Sequence, residues 1–309
     1  MHMLNTKPRE NLHKLCRHGA LCPPWFEQPF EEKFNDSRNP AAVSHARFVP
    51  FGSEQVGSEA HLDETFEFQN DAYSSNPESA SRGWSTPGKE LLNASQHMHK
   101  ECNRIVYTLL DSLSCAMNRN SLTSLHSEQN SFFAPYYYYF PEEDDNNKDT
   151  TLRVPPHIDP TTMLFCFQDA HFGLEIADLS KTSYKADLST AAVTKTAMTP
   201  FIPVPCLPGE FVVLAGHLLR RLVPEMKHSV HRVQRPLGTK GYHLNFWIVP
   251  DLQLDVSSGG LRVGCEVDGG NRKGGGRRKQ ETVAAYLARV FPSSVPLLFR
   301  RRLETICTT

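Results

Sequence analysis

His157 and Asp159 stand two positions apart in the segment RVPPHIDPTTMLFCFQD (153–169), whose apolar residues predict a buried β-strand. Residues i and i+2 of a strand point to the same face, so the imidazole and the carboxylate would lie side by side. Such a pair can ligate a metal ion, and it can equally be a hydrogen-bonded polar pair at the entrance to a strand. The dipeptide pattern alone leaves both interpretations open.

A candidate third ligand lies in KHSVHRV (227–233), which contains His228 and His231. Two histidines and one carboxylate leave coordination positions open, which suits a non-haem Fe(II) that must bind a co-substrate and O₂ together. A structural zinc ion would take four protein ligands, and the 8 scattered cysteines contain no CxxC pair to provide them. Iron is therefore the stronger hypothesis for a metal.

The composition narrows the classes of partner and compartment. The 33 basic and 34 acidic residues give a net charge of −1, which gives no reason to expect nucleic acid or an anionic membrane as a partner. No apolar run approaches the ~20 residues of a membrane span, and the N-terminus lacks the apolar core of a signal peptide. Cysteines in apolar runs, such as Cys166, are typical of a reducing environment. We therefore expect a cytoplasmic protein.

Changes in composition predict four segments. Residues 1–86 are rich in Pro, Ser, Asn and Glu, and residues 87–149 hold a long helix and a connecting loop. Residues 150–256 consist of short β-rich runs separated by Pro and Gly, which is typical of a sandwich or jelly roll. Residues 257–309 begin with a Gly- and Arg/Lys-rich linker, and a short C-terminal helix over roughly 280–291 follows.

The long helix is predicted from an apolar stripe that follows Thr86-Pro87, a typical helix start. The stripe recurs at three- and four-residue steps and should form one buried face. Its members are Leu91, Met98, Cys102, Ile105, Leu109, Leu113 and Met117.

The β-rich runs carry a resemblance to a known family. HIDPTTMLFCFQD, GLEI, PGEFVVLAGH and HSVHRV follow one another in a fixed order. Together they resemble the iron(II)/2-oxoglutarate-dependent oxygenases, in particular the isopenicillin N synthase-like branch that includes many plant-type dioxygenases. The resemblance covers about residues 11–250. It implies a mainly β fold with flanking helices around a double-stranded β-helix core, the jelly-roll or cupin-like architecture.

The same resemblance implies a metal set. It assigns the iron to His157, Asp159 and His231, because His231 directly precedes the Arg-Val of the family's HRV motif. His228 would lie three positions earlier on that strand, hence on the opposite face, and is interpreted as a surface or packing histidine.

The co-substrate residues depart from the family pattern. Family members hold the distal carboxylate of 2-oxoglutarate with an Arg-x-Ser pair on the last strand, and an arginine fork suits a carboxylate. Counted from His231, those positions fall on Gly241 and His243. Tyr138 stands where the family often has an Asn, and Phe140 replaces its usual tyrosine. Tyr138 and His243 are therefore the candidate co-substrate-binding residues.

The orientation of the last strand stays open at this point. His243 and Asn245 share the face of Gly241 and could point into the barrel. They could also form an outward polar face on a strand that buries the alternate residues, which are Tyr242, Leu244, Phe246 and Ile248.

Two further departures concern length. The family normally opens with a strand and a helix before its HG segment, and only about ten residues precede that segment here, so the N-terminal part looks shortened. Residues 177–200 form a Ser/Thr/Ala-rich insertion, which we interpret as a surface loop or a lid on the substrate side.

The resemblance implies an Fe(II)- and 2-oxoglutarate-dependent dioxygenase that uses O₂, oxidises a small organic metabolite and releases succinate and CO₂. We expect a monomer with no nucleic-acid or membrane partner. Gly241 leaves two alternatives: an Fe(II) oxidase of isopenicillin N synthase type that does not use 2-oxoglutarate, and a non-catalytic family member that acts as a binding protein. The substrate cannot be read from the sequence, because variable loops would contact it.

Overall fold

The computed structural model describes residues 23–38, 46–53, 55–56, 59–69, 82–127, 130–138, 152–168, 173–178, 200–205, 210–234, 241–257 and 281–290. The helices in these ranges are α1 (Pro23–Phe26), α2 (Phe30–Arg38), α3 (Thr86–Ala116), α4 (His217–Leu222) and α5 (Val283–Val290). The strands are β1 (Ala46–Val49), β2 (Gln55–Val56), β3 (Glu59–Ala60), β4 (Glu64–Phe68), β5 (Phe132–Tyr138), β6 (Leu152–His157), β7 (Met163–Gln168), β8 (Leu174–Ala177), β9 (Phe201–Pro203), β10 (Val212–Ala215), β11 (His231–Gln234) and β12 (Gly241–Ile248).

Two antiparallel sheets form the core. The larger has the order β1-β4-β5-β12-β7-β10, the smaller has the order β6-β11-β8-β9, and β2 and β3 form a separate hairpin. Consecutive strands repeatedly cross between the sheets: β6 is in the smaller and β7 in the larger, and β10, β11 and β12 alternate in the same way. This is the topology of a double-stranded β-helix. The predicted fold, mainly β with flanking helices around a jelly-roll core, is confirmed.

The long helix begins where the sequence predicts it. Ser85 is the N-cap, its Oγ accepts a hydrogen bond from the Gly88 backbone N–H at 3.0 Å, and a proline occupies the first turn. The buried face follows the predicted stripe through Leu91, Met98 and Cys102 and then diverges from it. Beyond that point, residues at four-residue steps are buried, namely Cys102, Val106, Leu110 and Ser114.

The second half of the predicted stripe packs against the core without being fully buried. Ile105, Leu109, Leu113 and Met117 are only partly buried at the edge of the core. Both rows are apolar and run at the same spacing one residue apart, so periodicity cannot choose between them. Ser114 takes a buried position because its Oγ donates to the Leu110 carbonyl at 2.7 Å and accepts from the Leu122 N–H at 2.8 Å.

The prediction that His157 and Asp159 lie on one strand is also wrong. Strand β6 ends at His157, Asp159 lies in the following turn, and the apolar run begins a new strand, β7, in the other sheet. Pro155 and Pro156 lie near the end of β6, and neither has an N–H to donate to a neighbouring strand. The pairing with β11 accordingly shifts register between His157 and Val154.

Strands from three of the four predicted segments share the larger sheet: β1 and β4 come from residues 1–86, β5 from 87–149 and the rest from 150–256. The segment boundaries themselves remain predictions. The predicted C-terminal helix is present as α5. Phe140, most of the 177–200 insertion and most of the basic linker lie outside the described residues.

None of the helices in the described ranges combines the length and the hydrophobicity needed to cross a bilayer.

Candidate metal centre

The structure brings His157, Asp159 and His231 together. His157 ends β6 and His231 begins β11, and the two are direct partners in the antiparallel pairing of these strands. Asp159 reaches the same point from the turn after β6. Its Oδ1 lies 3.8 Å from Nε2 of His157, and its Oδ2 lies 3.5 Å from Nε2 of His231. One ligand atom from each residue lies within 4.8 Å of the others, so a single ion could contact all three.

Backbone carbonyls orient both imidazoles. Nδ1 of His157 donates to the Pro155 carbonyl at 2.8 Å, and Nδ1 of His231 donates to the Ser229 carbonyl at 3.1 Å. A carbonyl can only accept, so the proton sits on Nδ1 and the lone pair on Nε2. Both Nε2 atoms are the ones that face Asp159. This is the tautomer that a metal ligand needs, and the backbone alone selects it.

Burial keeps the His157 ring neutral. Desolvation, followed by the positive charges that His231 and His61 would carry, holds the pKa of His157 well below its usual range. At neutral pH the ring therefore offers a lone pair instead of a second proton.

The Asp159 carboxylate is buried and incompletely satisfied. It is 6% exposed, and its Oδ1 accepts a hydrogen bond from the indole N–H of Trp247 at 3.3 Å. Its Oδ2 is buried and has no hydrogen-bond partner among the residues that the structure describes. An ionised oxygen in that state is costly unless a cation compensates it. The donor set and this oxygen fit a metal ion.

The turn that carries Asp159 is held by the start of α4. The His217 N–H donates to the Asp159 carbonyl at 2.7 Å, and the Leu218 N–H donates to the Thr161 carbonyl at 3.1 Å. These N–H groups would otherwise be unsatisfied at a helix start. Gly216 lies so close that an added Cβ would be 2.0 Å from the Thr161 carbonyl oxygen. Only glycine fits there, because of the close approach of the two backbone segments.

A cavity between the two sheets opens onto the triad. Its apolar wall comes from both sheets and comprises Val154, Leu164, Cys166, Leu174, Leu214 and Val233. Its polar or aromatic lining, apart from the triad, comprises His61, Tyr136, Tyr138, His243, Asn245 and Trp247. The cavity thus joins a metal site to a second group of hydrogen-bonding side chains.

The last strand points His243 and Asn245 into this cavity, which answers the question that the sequence left open. The interpretation of these two residues as an outward polar face is wrong, because the other face of β12 is buried as well: Phe246 lies under α3, with its ring centroid 5.3 Å from that of His99. Asn245 is 8% exposed, and its Oδ1 has no hydrogen bond within the described part of the chain.

Tyr138 and His243 lie against each other. The Tyr138 hydroxyl and Nδ1 of His243 are 3.2 Å apart, and the two rings are in edge contact with centroids at 4.8 Å. Burial, and then the positive charge of Arg153, holds the pKa of His243 well below its usual range. Gly241 is the cross-strand partner of Tyr138, so the two predicted co-substrate residues and the missing arginine position are neighbours.

His228 lies outside the site. It precedes β11 instead of lying on it, so its placement on the opposite face of that strand is wrong. It is 3% exposed, and its Nδ1 lies 3.3 Å from the guanidinium of Arg220, in agreement with a packing role.

The sequence interpretation missed His61, Trp247 and Arg153. His61 lines the cavity with its ring centroid 6.1 Å from that of His157, and Trp247 donates to Asp159. Arg153 lies at the beginning of β6 and is 3% exposed. An arginine four residues before a ligand histidine, within an apolar run, is a visible signal, whereas the other two contacts depend on tertiary structure.

Known proteins agree with this architecture. Residues 129–250, which include the whole triad, match the 2OG-Fe(II) oxygenase superfamily. No curated protein sequence matches the chain.

Solved structures share the fold at low sequence identity. A full-length Neurospora crassa protein in complex with alpha-KG has a TM-score of 0.61 and 15% identity, covering 99% of this chain and 84% of that one. A putative 2OG-Fe(II) oxygenase family protein from Caulobacter crescentus has a TM-score of 0.59 and 16% identity, covering 98% and 88%. The rice dioxygenase for auxin oxidation has a TM-score of 0.57 and 16% identity, covering 84% and 74%. At these identities the likeness shows the fold alone.

Proposed function

We propose that the chain is a non-haem Fe(II)- and 2-oxoglutarate-dependent dioxygenase that oxidises a small organic metabolite, and the match of residues 129–250 to the 2OG-Fe(II) oxygenase superfamily supports this proposal. The observation that carries the proposal is the triad of His157, Asp159 and His231, with one buried carboxylate oxygen that has no hydrogen bond within the described residues. We also propose the isopenicillin N synthase-like branch, supported by the order of the strand motifs.

In this proposal the three residues hold the metal from one side. Nε2 of His157, Nε2 of His231 and Oδ2 of Asp159 are the ligand atoms, because the other imidazole nitrogens and Oδ1 are engaged by the protein. When bound, Fe(II) with 2-oxoglutarate and O₂ supplies the oxidising chemistry, and the co-substrate leaves as succinate and CO₂.

The cavity beside the triad provides side chains that would bind the co-substrate and an apolar wall that would exclude water. Tyr138 and His243 line it away from the triad and offer a hydroxyl and an imidazole to an anionic co-substrate. Apolar side chains from both sheets, such as Val154, Leu164 and Leu214, exclude water from the reacting centre. The organic substrate would enter beside them, through loops that determine its identity.

Succinate formation tests the proposal. The purified chain is supplied with Fe(II), ascorbate, O₂ and 2-oxoglutarate, with and without a panel of small organic acids. We expect Fe(II)-dependent succinate that is lost in His231→Ala and retained in His228→Asn, since His228 lies outside the triad, beside Arg220. Fe(II) binding without succinate under any of these conditions contradicts the dioxygenase.

One observation favours a second candidate, an Fe(II) oxidase that uses no 2-oxoglutarate. Gly241 occupies the position where the resemblance implies an arginine, and glycine offers no side chain to a carboxylate. If the chain is an oxidase, it should consume O₂ when a substrate is present and should form no succinate. If it is a non-catalytic binding protein, it should neither consume O₂ nor form succinate.

We further propose a cytoplasmic monomer without nucleic-acid or membrane partners. The near balance of charge supports the absence of such partners, and the buried cysteines Cys102 and Cys166 support a reducing compartment. Light scattering and fractionation of cells test these two points.

A further inference from the structure

We propose that Arg153 supplies the positive charge that compensates the metal-distal carboxylate of 2-oxoglutarate, in place of the arginine that the last strand lacks. This inference rests on the proposed function and identifies a positioning residue within its site. Tyr138 and His243 are the groups that would contact the carboxylate in the cavity.

The need for a cation follows from the chemistry of the ligand. 2-Oxoglutarate carries a carboxylate at each end, and the metal can neutralise only the end that chelates it. The other carboxylate would be buried between two sheets, where an uncompensated charge is costly. No lysine or arginine belongs to the cavity lining in the described part of the chain, so the charge must come from just behind the wall.

Arg153 lies at that place. It is on β6, in the sheet opposite Tyr138, yet its guanidinium carbon is 4.9 Å from the centroid of the Tyr138 ring. Tyr138 lines the cavity and is the cross-strand partner of Gly241. The smaller sheet therefore delivers a cation to the same end of the cavity where the larger sheet has a glycine.

The contact is well suited to a buried charge. A guanidinium stays protonated at any physiological pH and packs favourably on an aromatic face. Arg153 is 3% exposed, so its charge is poorly screened by solvent. Its field also reaches His243, whose pKa it lowers in addition to the effect of burial.

Hydrogen-bond donors connect this charge to the cavity. The Tyr138 hydroxyl and Nδ1 of His243 are 3.2 Å apart, and both side chains face the cavity. A carboxylate beside them would accept hydrogen bonds from neutral groups and would be attracted by the positive charge of Arg153 behind them. The anchor for the co-substrate is thus divided among β5, β6 and β12.

Two 2-oxo acids, one with and one without a distal carboxylate, isolate the role of Arg153. Under anaerobic conditions, the Fe(II)-loaded chain is titrated calorimetrically with 2-oxoglutarate and with 2-oxopentanoate, which has the same chain length and no distal carboxylate. We expect the wild type to prefer 2-oxoglutarate. Arg153→Gln should weaken the binding of 2-oxoglutarate by about 30-fold or more and that of 2-oxopentanoate by less than about threefold. The preference for 2-oxoglutarate would then be lost.

Arg232→Gln is the matched control. Arg232 is on the neighbouring strand β11, where its guanidinium pairs with Glu175 at 2.6 Å and packs on Phe201. Its removal should leave the preference between the two ligands unchanged. If Arg153→Gln does not fold, Arg153→Met removes the charge and keeps a long unbranched side chain against the Tyr138 ring. It should weaken the binding of 2-oxoglutarate, and not that of 2-oxopentanoate, to the same extent as Arg153→Gln.

The outcomes separate the two proposals. An unchanged preference in either Arg153 variant, or an equal loss for both ligands, overturns the role of Arg153 and leaves the dioxygenase standing. Failure of the Fe(II)-loaded wild type to bind either 2-oxo acid overturns the dioxygenase, and the role of Arg153 with it.

Discussion

At one end of the cavity, backbone hydrogen bonds position the three candidate ligands: two imidazoles donate to carbonyls two residues away, and the turn of Asp159 is held by the first N–H groups of α4. At the other end, Tyr138, His243 and Arg153 come from three strands and contact one another through their side chains. The metal end is thus held by backbone hydrogen bonds, whereas the co-substrate end depends on how side chains of three strands pack. We therefore expect changes at the two ends to separate metal affinity from co-substrate affinity.

The largest effect should follow removal of a ligand. His231→Ala leaves Asp159 and His157 without their third partner, and we expect at least a 100-fold loss of Fe(II) or Co(II) affinity, since even outer partners of metal ligands are worth about 10- to 100-fold. Metal titration followed by absorbance measures this. His228→Asn is the control, and equal affinity in the two variants would show that the triad does not bind the metal.

Gly216→Ala should have the next largest effect. The new Cβ would lie 2.0 Å from the Thr161 carbonyl oxygen, so the turn that carries Asp159 must move. We expect a loss of about 2 kcal/mol in the free energy of unfolding and at least about tenfold in metal affinity. Denaturant unfolding and metal titration measure the two quantities.

Gly88→Ala provides the contrast for that variant. Its Cβ would meet Oδ2 of Asp36 at 2.4 Å, far from the metal in the packing of α3. It should lower the free energy of unfolding and leave metal affinity unchanged. If Gly88→Ala weakens the metal as much as Gly216→Ala does, the effect is one of general stability.

Trp247→Phe tests the contact behind the carboxylate. The change removes the N–H that donates to Oδ1 of Asp159 and keeps an aromatic ring to stack on Phe132. We expect metal affinity to fall about tenfold. Trp84→Phe, which removes an indole N–H elsewhere in the core, should leave metal affinity unaltered. An unaltered metal affinity in Trp247→Phe would show that the hydrogen bond to Asp159 is unimportant for the metal.

The smallest effect should arise at the other end. Tyr138→Phe removes one hydroxyl beside His243, so we expect 2-oxoglutarate to bind about 3- to 10-fold more weakly with no change in metal affinity. Tyr137→Phe is the control, because that ring stacks on Tyr242 away from the cavity. Calorimetry compares the two, and a loss of metal affinity in Tyr138→Phe would mean that the ends of the cavity are not independent.

The difference between the ends also explains what the sequence can predict. The three candidate metal ligands are predictable because they lie at short, fixed distances from strand motifs, and the jelly roll is predictable from the number and spacing of β-rich runs. The wrong assignment of Asp159 to a strand comes from treating the histidine and the apolar run as one strand, whereas β6 ends at His157 and β7 begins at Met163.

Other features cannot be predicted from the sequence, because they depend on tertiary contacts. Two apolar rows on α3 are equally good as patterns, and only contact with the sheet decides that Val106 and Leu110 are buried. Arg153 and Tyr138 meet across two sheets, so no sequence spacing relates them. Contacts within one strand or turn leave a local signature, whereas contacts between sheets leave none.

The central claim is that the triad holds a metal to which a 2-oxo acid binds in the adjoining cavity. Anaerobic titration of 2-oxoglutarate into the Fe(II)-loaded chain tests it directly, because chelation of Fe(II) by a 2-oxo acid produces a charge-transfer absorption band. We predict a band that saturates at one 2-oxoglutarate per chain and is absent in His231→Ala. A chain that binds Fe(II) and develops no band, or a band that persists in His231→Ala, would contradict the account.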